Sequence, residues 1–168
     1  MSQEKYTSNK LIYGDWFRAK KKVVNLSGKE TRAMAHNDRK PYSIVIGEHK
    51  EAPFCFLSLN DKFVMVGFID EYKREYLDYV FSEIEPGKLF LKEVQYWEHK
   101  GTTDEKITST RYFFTPEGKL TIEEANLVTY EVVTKEAKNK IDVSTHWEDY
   151  PEFGKYEKLI IKDRPLPS

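Results

Sequence analysis

The amino-acid sequence predicts a mainly β protein, a single domain built on a curved or barrel-like antiparallel sheet with minor helix. Three observations lead there. From residue 42 onward apolar and polar residues alternate with a period of two, as on a strand with unlike faces. The alternating segments are rich in aromatic and β-branched residues, which fit a pleated, half-buried surface. Short polar turns such as Asn60-Asp61, Pro86-Gly87 and Pro116-Glu117-Gly118-Lys119 separate them. Their close spacing is hard to reconcile with the crossover helices of a parallel sheet. At 168 residues the chain can bury one core and need not be divided.

In chain order, residues 1–10 read as a flexible polar leader and 162–168 as a flexible tail. Leu11, Ile12, Tyr13, Trp16 and Phe17 form an apolar anchor, and Asn25, Ser27 and Gly28 mark a turn after Val23-Val24. Residues 29–41 predict a long surface loop, with a short helix over 30–36 as the alternative. Strands follow over 42–48, 54–59 and 63–69. In the last, Phe63, Met65 and Ile69 share one face and Val64, Val66 and Phe68 the other, so it reads as a central strand covered on both sides. Gly67 within it points to a bulge or a close backbone approach. Residues 71–82 fit two patterns, helical through Tyr72, Tyr76 and Tyr79, or extended through Leu77, Tyr79 and Phe81. Strands are predicted over 88–99 and 106–115.

The stretch 121–134 is also open. Thr121 and Glu124 have capping-box spacing, whereas the branched residues of 127–134 favour a strand of about eight residues. Residues 135–140 then connect to an extended 141–147, and 148–158 forms an irregular aromatic segment along the sheet edge. The sum is about seven to nine strands.

Composition narrows the class. Hydrophobic residues make up 39% and aromatics 14%, enough for a folded core. Cys55 is the single cysteine, which excludes an internal disulfide, and between Phe54 and Phe56 it reads as a small buried hydrophobe. No apolar signal region and no run of membrane-spanning length is visible, so membrane insertion is not expected and a cytoplasmic, reduced setting is.

No reaction motif stands out. His36, His49, His99 and His146 lack the close spacing of a zinc pair, and neither a metal nor a cofactor is expected. A G-x-S-x-G elbow, a P-loop and a dinucleotide turn are absent. The acid pairs Asp70-Glu71, Glu123-Glu124 and Glu148-Asp149 would point to opposite faces of a strand, whereas acid–base work needs two carboxyls in one cleft. The chain therefore reads as non-enzymatic.

Charge is distributed unevenly. The first fifty residues carry eleven Lys/Arg against five Asp/Glu, and the other 118 carry sixteen against twenty-three. Two acidic clusters interleaved with aromatics lie in the negative part. One comprises Asp70, Glu71, Tyr72, Glu75, Tyr76, Asp78 and Tyr79, and the other Glu148, Asp149, Tyr150, Glu152, Phe153 and Tyr156. Tyrosine offers contact area with a polar tip, and acids around it steer a basic partner. The expected function is protein binding, in its specific form the neutralisation of a toxin whose site is built for phosphates. In this general character the chain is similar to bacterial immunity proteins. The expected partner is a protein with a basic surface, and association with a second copy of the chain is a further expectation. A nucleic-acid alternative rests on Arg18, Lys20, Lys21, Lys22, Arg32, Arg39 and Lys40. The acidic remainder opposes a long polyanion, so nucleic acid is the less favoured partner.

Gly14-Asp15-Trp16 resembles the G-x-W element near the amino end of lipocalins, in which the tryptophan closes the base of a barrel. Thr103-Asp104-Glu105 departs from the T-D-Y element of that family by lacking its aromatic. Arg164 lies nearer the carboxyl end than the arginine that packs on the tryptophan. The resemblance implies a small hydrophobic ligand among inward aromatics, with Phe56, Phe68, Phe90, Tyr112 and Tyr130 as the pocket residues.

Overall fold

A computed structural model of the chain describes residues 9–166. Its strands are β1 (Lys10–Ile12), β2 (Asp15–Phe17) and β3 (Lys22–Val24), followed after the helix α1 (Lys29–Asn37) by β4 (Tyr42–His49), β5 (Ala52–Leu59), β6 (Phe63–Ile69) and β7 (Glu75–Glu85). Then come β8 (Lys88–His99), β9 (Lys106–Phe114), β10 (Leu120–Asn126), β11 (Val132–Glu136) and β12 (Trp147–Asp149). A ten-stranded antiparallel sheet runs in the order β1-β4-β5-β6-β7-β8-β9-β10-β11. It is curved and open, not closed into a barrel. The tenth strand, β12, pairs with residues 88–90 of β8, whose other half pairs with β9. β2 and β3 form a separate hairpin.

Register decides what each face buries. On one face the rows Ile44, Leu57, Val66, Tyr79 and Ile46, Cys55, Phe68, Leu77 run across four strands, all buried. Tyr156, Leu159 and Ile160 from the carboxyl-terminal segment complete this core, with Ala35 of α1 packed against it. On the other face Val45, Phe56, Gly67, Asp78, Gln95 and Arg111 lie side by side. The β2–β3 hairpin covers its first part, packing Trp16 and Val23 on Val45, Phe56 and Ile69. β6 is thus apolar on both faces because both are covered. Gly67 is the close approach, since a Cβ there would meet the Phe56 ring at 2.3 Å.

The two open stretches resolve into strands. Residues 75–85 are β7, paired with β6 over 75–82 and with β8 over 77–85, and an extra residue at Tyr76 shifts the register between Phe68 and Ile69. Residues 120–136 form the β10–β11 hairpin. The expected strand over 127–134 does not form, because Asn126 Oδ1 accepts the N–H groups of Val128 and Thr129 and turns the chain there. Tyr130 completes the turn at φ +63°.

Four further stretches can be set beside their sequence expectations. Residues 29–37 are helical, so the short-helix alternative holds in place of the long surface loop. The expected extended run over 141–147 is largely irregular: Asp142 Oδ1 accepts the Ser144 N–H and starts a 3-10 turn at Ser144–His146. The expected leader falls mostly on residues 1–8, outside the described residues, while Lys10 already belongs to β1. At the other end Arg164, placed in a flexible tail by sequence, is anchored. Its guanidinium donates to the carbonyls of Thr145 and Lys158 and to Glu148.

Candidate functional site

The turn between β6 and β7 organises the most polar part of the surface. Asp70 Oδ1 accepts the backbone N–H groups of Tyr72 and Arg74, each at 2.9 Å, which bends the chain, and Lys73 takes φ +60°. Arg74 Nε donates to Asp70 Oδ2 at 2.9 Å, and its Nη1 reaches the carbonyls of Gly101 and Thr103 at 2.8 and 2.7 Å. One arginine thereby clamps the β6–β7 turn to the β8–β9 turn, leaving a ridge with a depression on each side.

The first depression is a groove of roughly 630 Å³ between the β4–β5 and β6–β7 turns. Glu48, Glu51, Asp70 and Glu71 line it together with Pro53, Phe54 and Tyr76. Asp70 is committed to the turn and Glu51 lies 3.4 Å from Lys73. Glu48 and Glu71 are exposed and have no ion-pair partner among the described residues. Among the described residues, Lys73 and Lys162 are the groove's cations. Carboxylates beside rings are a lining whose chemistry suits a cationic side chain.

The second depression is a cleft of roughly 280 Å³ enclosed by the β2–β3 hairpin, the β6–β7 turn and the β8–β9 turn. Arg18, Lys21, Lys73, Arg74 and Lys106 line it against Glu75 and Asp104, with Trp16 and His99. Arg18 Nε and Nη2 donate to Glu75 at 2.5 and 3.2 Å, and Lys21 Nζ donates to Asp104.

Beside the cleft is a pair of carboxyls. The extra residue at Tyr76 leaves Glu75 opposite Ile69 and Asp78 opposite Gly67, so both acids share one face. Asp78 is 8% exposed. Burial, reinforced by its hydrogen bond to Glu75 and that group's charge, pushes its carboxyl up to about 9. Burial also opposes ionisation of Glu75, but the hydrogen bond with Asp78 and the Arg18 guanidinium hold it below the usual carboxylate range. One raised and one lowered carboxyl is the pattern acid–base chemistry uses. Here Glu75, the member lining the cleft, has its charge matched by Arg18, and the trio acts as a latch between hairpin and sheet.

The sequence-predicted residues divide accordingly. Of the first acidic cluster, Asp70, Glu71 and Tyr76 meet in the groove, and Tyr72 is exposed on the ridge under Arg74. Glu75 belongs to the cleft, while Asp78 and Tyr79, the latter 1% exposed, are interior and not surface contacts. In the second cluster Tyr156 is core, its hydroxyl 3.1 Å from that of Tyr42. Phe153 packs on Tyr13, His36 and Tyr42, and Tyr150 lies beneath Arg39 at 3.5 Å. Glu148, Asp149 and Glu152 are paired with Arg164, Lys88 and Lys155.

The proposed aromatic pocket residues do not converge. Phe56 lies under the hairpin on one face, Phe68 and Phe90 are in the core of the other, and Tyr112 packs at that core's margin. Tyr130 is 86% exposed at a turn. Trp16 sits with Val45, Phe56 and Ile69, and Arg164 lies over Tyr79 and Phe81 instead of Trp16. The basic set also separates. Arg18 and Lys21 enter the cleft, and Lys20, Lys22 and Lys40 are exposed. Arg32 is buried against Asp15, Ser27 and the Asn25 carbonyl, and Arg39 is held by Glu83 and Tyr150.

Sequence reasoning missed Glu48 and Glu51 in the groove and Lys73, Arg74, His99 and Lys106 in the cleft. These come from turns far apart in the chain, and no local pattern marks their convergence. Compared with known proteins, the chain matches no family model, no curated protein and no solved structure.

Proposed function

We propose that this chain is a non-enzymatic protein-binding domain that receives a basic segment of its partner in the groove beside the β6–β7 turn. The observation that carries this reading is the groove itself, four carboxylates around Pro53, Phe54 and Tyr76, with Glu48 and Glu71 exposed and without an ion-pair partner among the described residues. A lysine or arginine entering it would lay its stem on the rings and its charge among the acids. Acids around the rim would also steer a positively charged partner and speed encounter. In the narrower form of this proposal the partner is a toxin or enzyme whose site is built for phosphates, and the groove's carboxylates stand in for the phosphates.

The test is an NMR titration with an oligolysine and an oligoglutamate peptide of about ten residues, at about 50 and 200 mM salt. The oligolysine should shift amides over 48–53 and 69–76, more weakly at the higher salt, and the oligoglutamate should not. The double variant Glu48→Lys/Glu71→Lys should lose the effect while remaining folded. Absence of binding, or equal binding by the double variant, overturns the reading.

A further inference from the structure

The basic run near the amino end is not used by the groove, and the cleft across the ridge shows where part of it goes. We propose that the cleft between the β2–β3 hairpin and the β6–β7 and β8–β9 turns is a binding site for a compact oxyanion, the phosphate group of a small soluble molecule.

Five cationic side chains from three separate segments face one depression of roughly 280 Å³, against two carboxylates. Their existing bonds leave donors available. Arg18 uses Nε and Nη2 on Glu75, and Arg74 uses Nε and Nη1 on Asp70 and two carbonyls. Arg18 Nη1 and Arg74 Nη2 have no acceptor among the described residues. Both guanidiniums are oriented by their other contacts, so offering these N–H groups to an oxyanion costs little side-chain freedom. Lys106 has no carboxylate partner among the described residues, and its ammonium lies 4.0 Å from the Trp97 ring centroid. Lys21 is bound to Asp104, a pair in which the acid is largely exposed, and such pairs exchange cheaply for a stronger anion.

The cleft also carries its own reporter. Burial holds the His99 imidazole below its usual range, and the positive charges of Arg74 and Lys106 push it the same way against Asp70 and Asp104. An anion seated among those cations would offset their field and return His99 upward. The volume suits a phosphate with a small attached group, and Trp16 in the wall offers that group a ring.

The test follows the His99 ring signals of the full chain by NMR across pH, without ligand, with pyrophosphate, with a mononucleotide and with sodium chloride at matched ionic strength. Pyrophosphate and the mononucleotide should each raise the His99 midpoint and shift Lys21 and Lys106, and chloride should not. The double variant Lys21→Ala/Lys106→Ala keeps the arginine clamp and both latch carboxyls. It should weaken phosphate binding about tenfold or more, for two lost charge-assisted contacts. Equal effects of chloride and pyrophosphate, or unchanged affinity in the double variant, would overturn the site. Tighter binding of an oligonucleotide than of the mononucleotide, per phosphate, would overturn its assignment to a small molecule. Cationic-peptide binding at the groove is measured on other residues, so neither result depends on the other.

Discussion

The ring of Phe56 fills the space beside Gly67 in which any other residue would carry its Cβ, at 2.3 Å from its Cε1 atom. Gly67 therefore permits a large aromatic to cross the sheet beneath the β2–β3 hairpin. Gly67→Ala should cost about 1–3 kcal/mol through overpacking. Phe56→Leu in the same chain should recover part of the loss, which denaturant melts of the single and double variants would show. Additive losses would mean that the ring is not what Gly67 accommodates.

Asp78 makes stability depend on pH in a defined direction. Its carboxyl titrates near 9 when folded and near the ordinary Asp value of about 3.9 when unfolded. Between those values the folded state holds a proton that the unfolded state releases. The stabilisation is therefore full below the unfolded value and is lost progressively as pH rises through the folded one. Asp78→Asn, which keeps the neutral form, should flatten this decline and gain stability relative to the parent at pH 8 compared with pH 5. Thermal melts at the two values would decide it, and a parallel pH profile for both proteins would remove Asp78 as the cause.

Trp16 and Lys21 sit on the same hairpin with unlike roles. Trp16 packs on Val45, Phe56 and Ile69, and Lys21 makes a partly exposed ion pair. Trp16→Ala should cost about 2–4 kcal/mol, less than a fully buried ring would. Lys21→Ala should stay within about 0.5 kcal/mol. Urea midpoints measured side by side would refute this if the two variants were equal.

Tyr130 holds φ +63° with its side chain 86% exposed, so it has backbone strain and little packing in return. Tyr130→Gly should stabilise the hairpin by about 0.5–1 kcal/mol. A loss of stability on calorimetry would assign the ring a packing role.

Which parts of this molecule are legible in its sequence follows from where the deciding contacts lie. Apart from β7, whose sequence fits a helix as well as a strand, the strands from Tyr42 to Phe114 are local patterns, since alternation and turn residues sit within each segment. The 121–134 stretch is different, because the Asn126 side chain caps two backbone N–H groups and overrides a run of branched residues that would otherwise extend. The tyrosines show the limit for surfaces. Tyr72 and Tyr79 each follow an acid in sequence, Glu71 and Asp78, yet one is exposed and the other is core. The single extra residue at Tyr76 also sets which acids share a face, joining Glu75 to Asp78. The groove and cleft each draw on turns that only strand register brings together.

The carboxyl-terminal segment has a consequence beyond packing. Tyr156, Leu159 and Ile160 close the core, β12 extends the sheet beside β8, and Arg164 ties the end back to Glu148, while the exposed Lys138, Asn139 and Lys140 merely connect this segment to β11. It stands to the rest of the chain as a bound peptide stands to its receptor. A protease cut at those three residues should leave the two pieces associated under native conditions. With the pieces still associated, expressing them separately would offer a complementation assay in which reassembly reports on folding of the sheet.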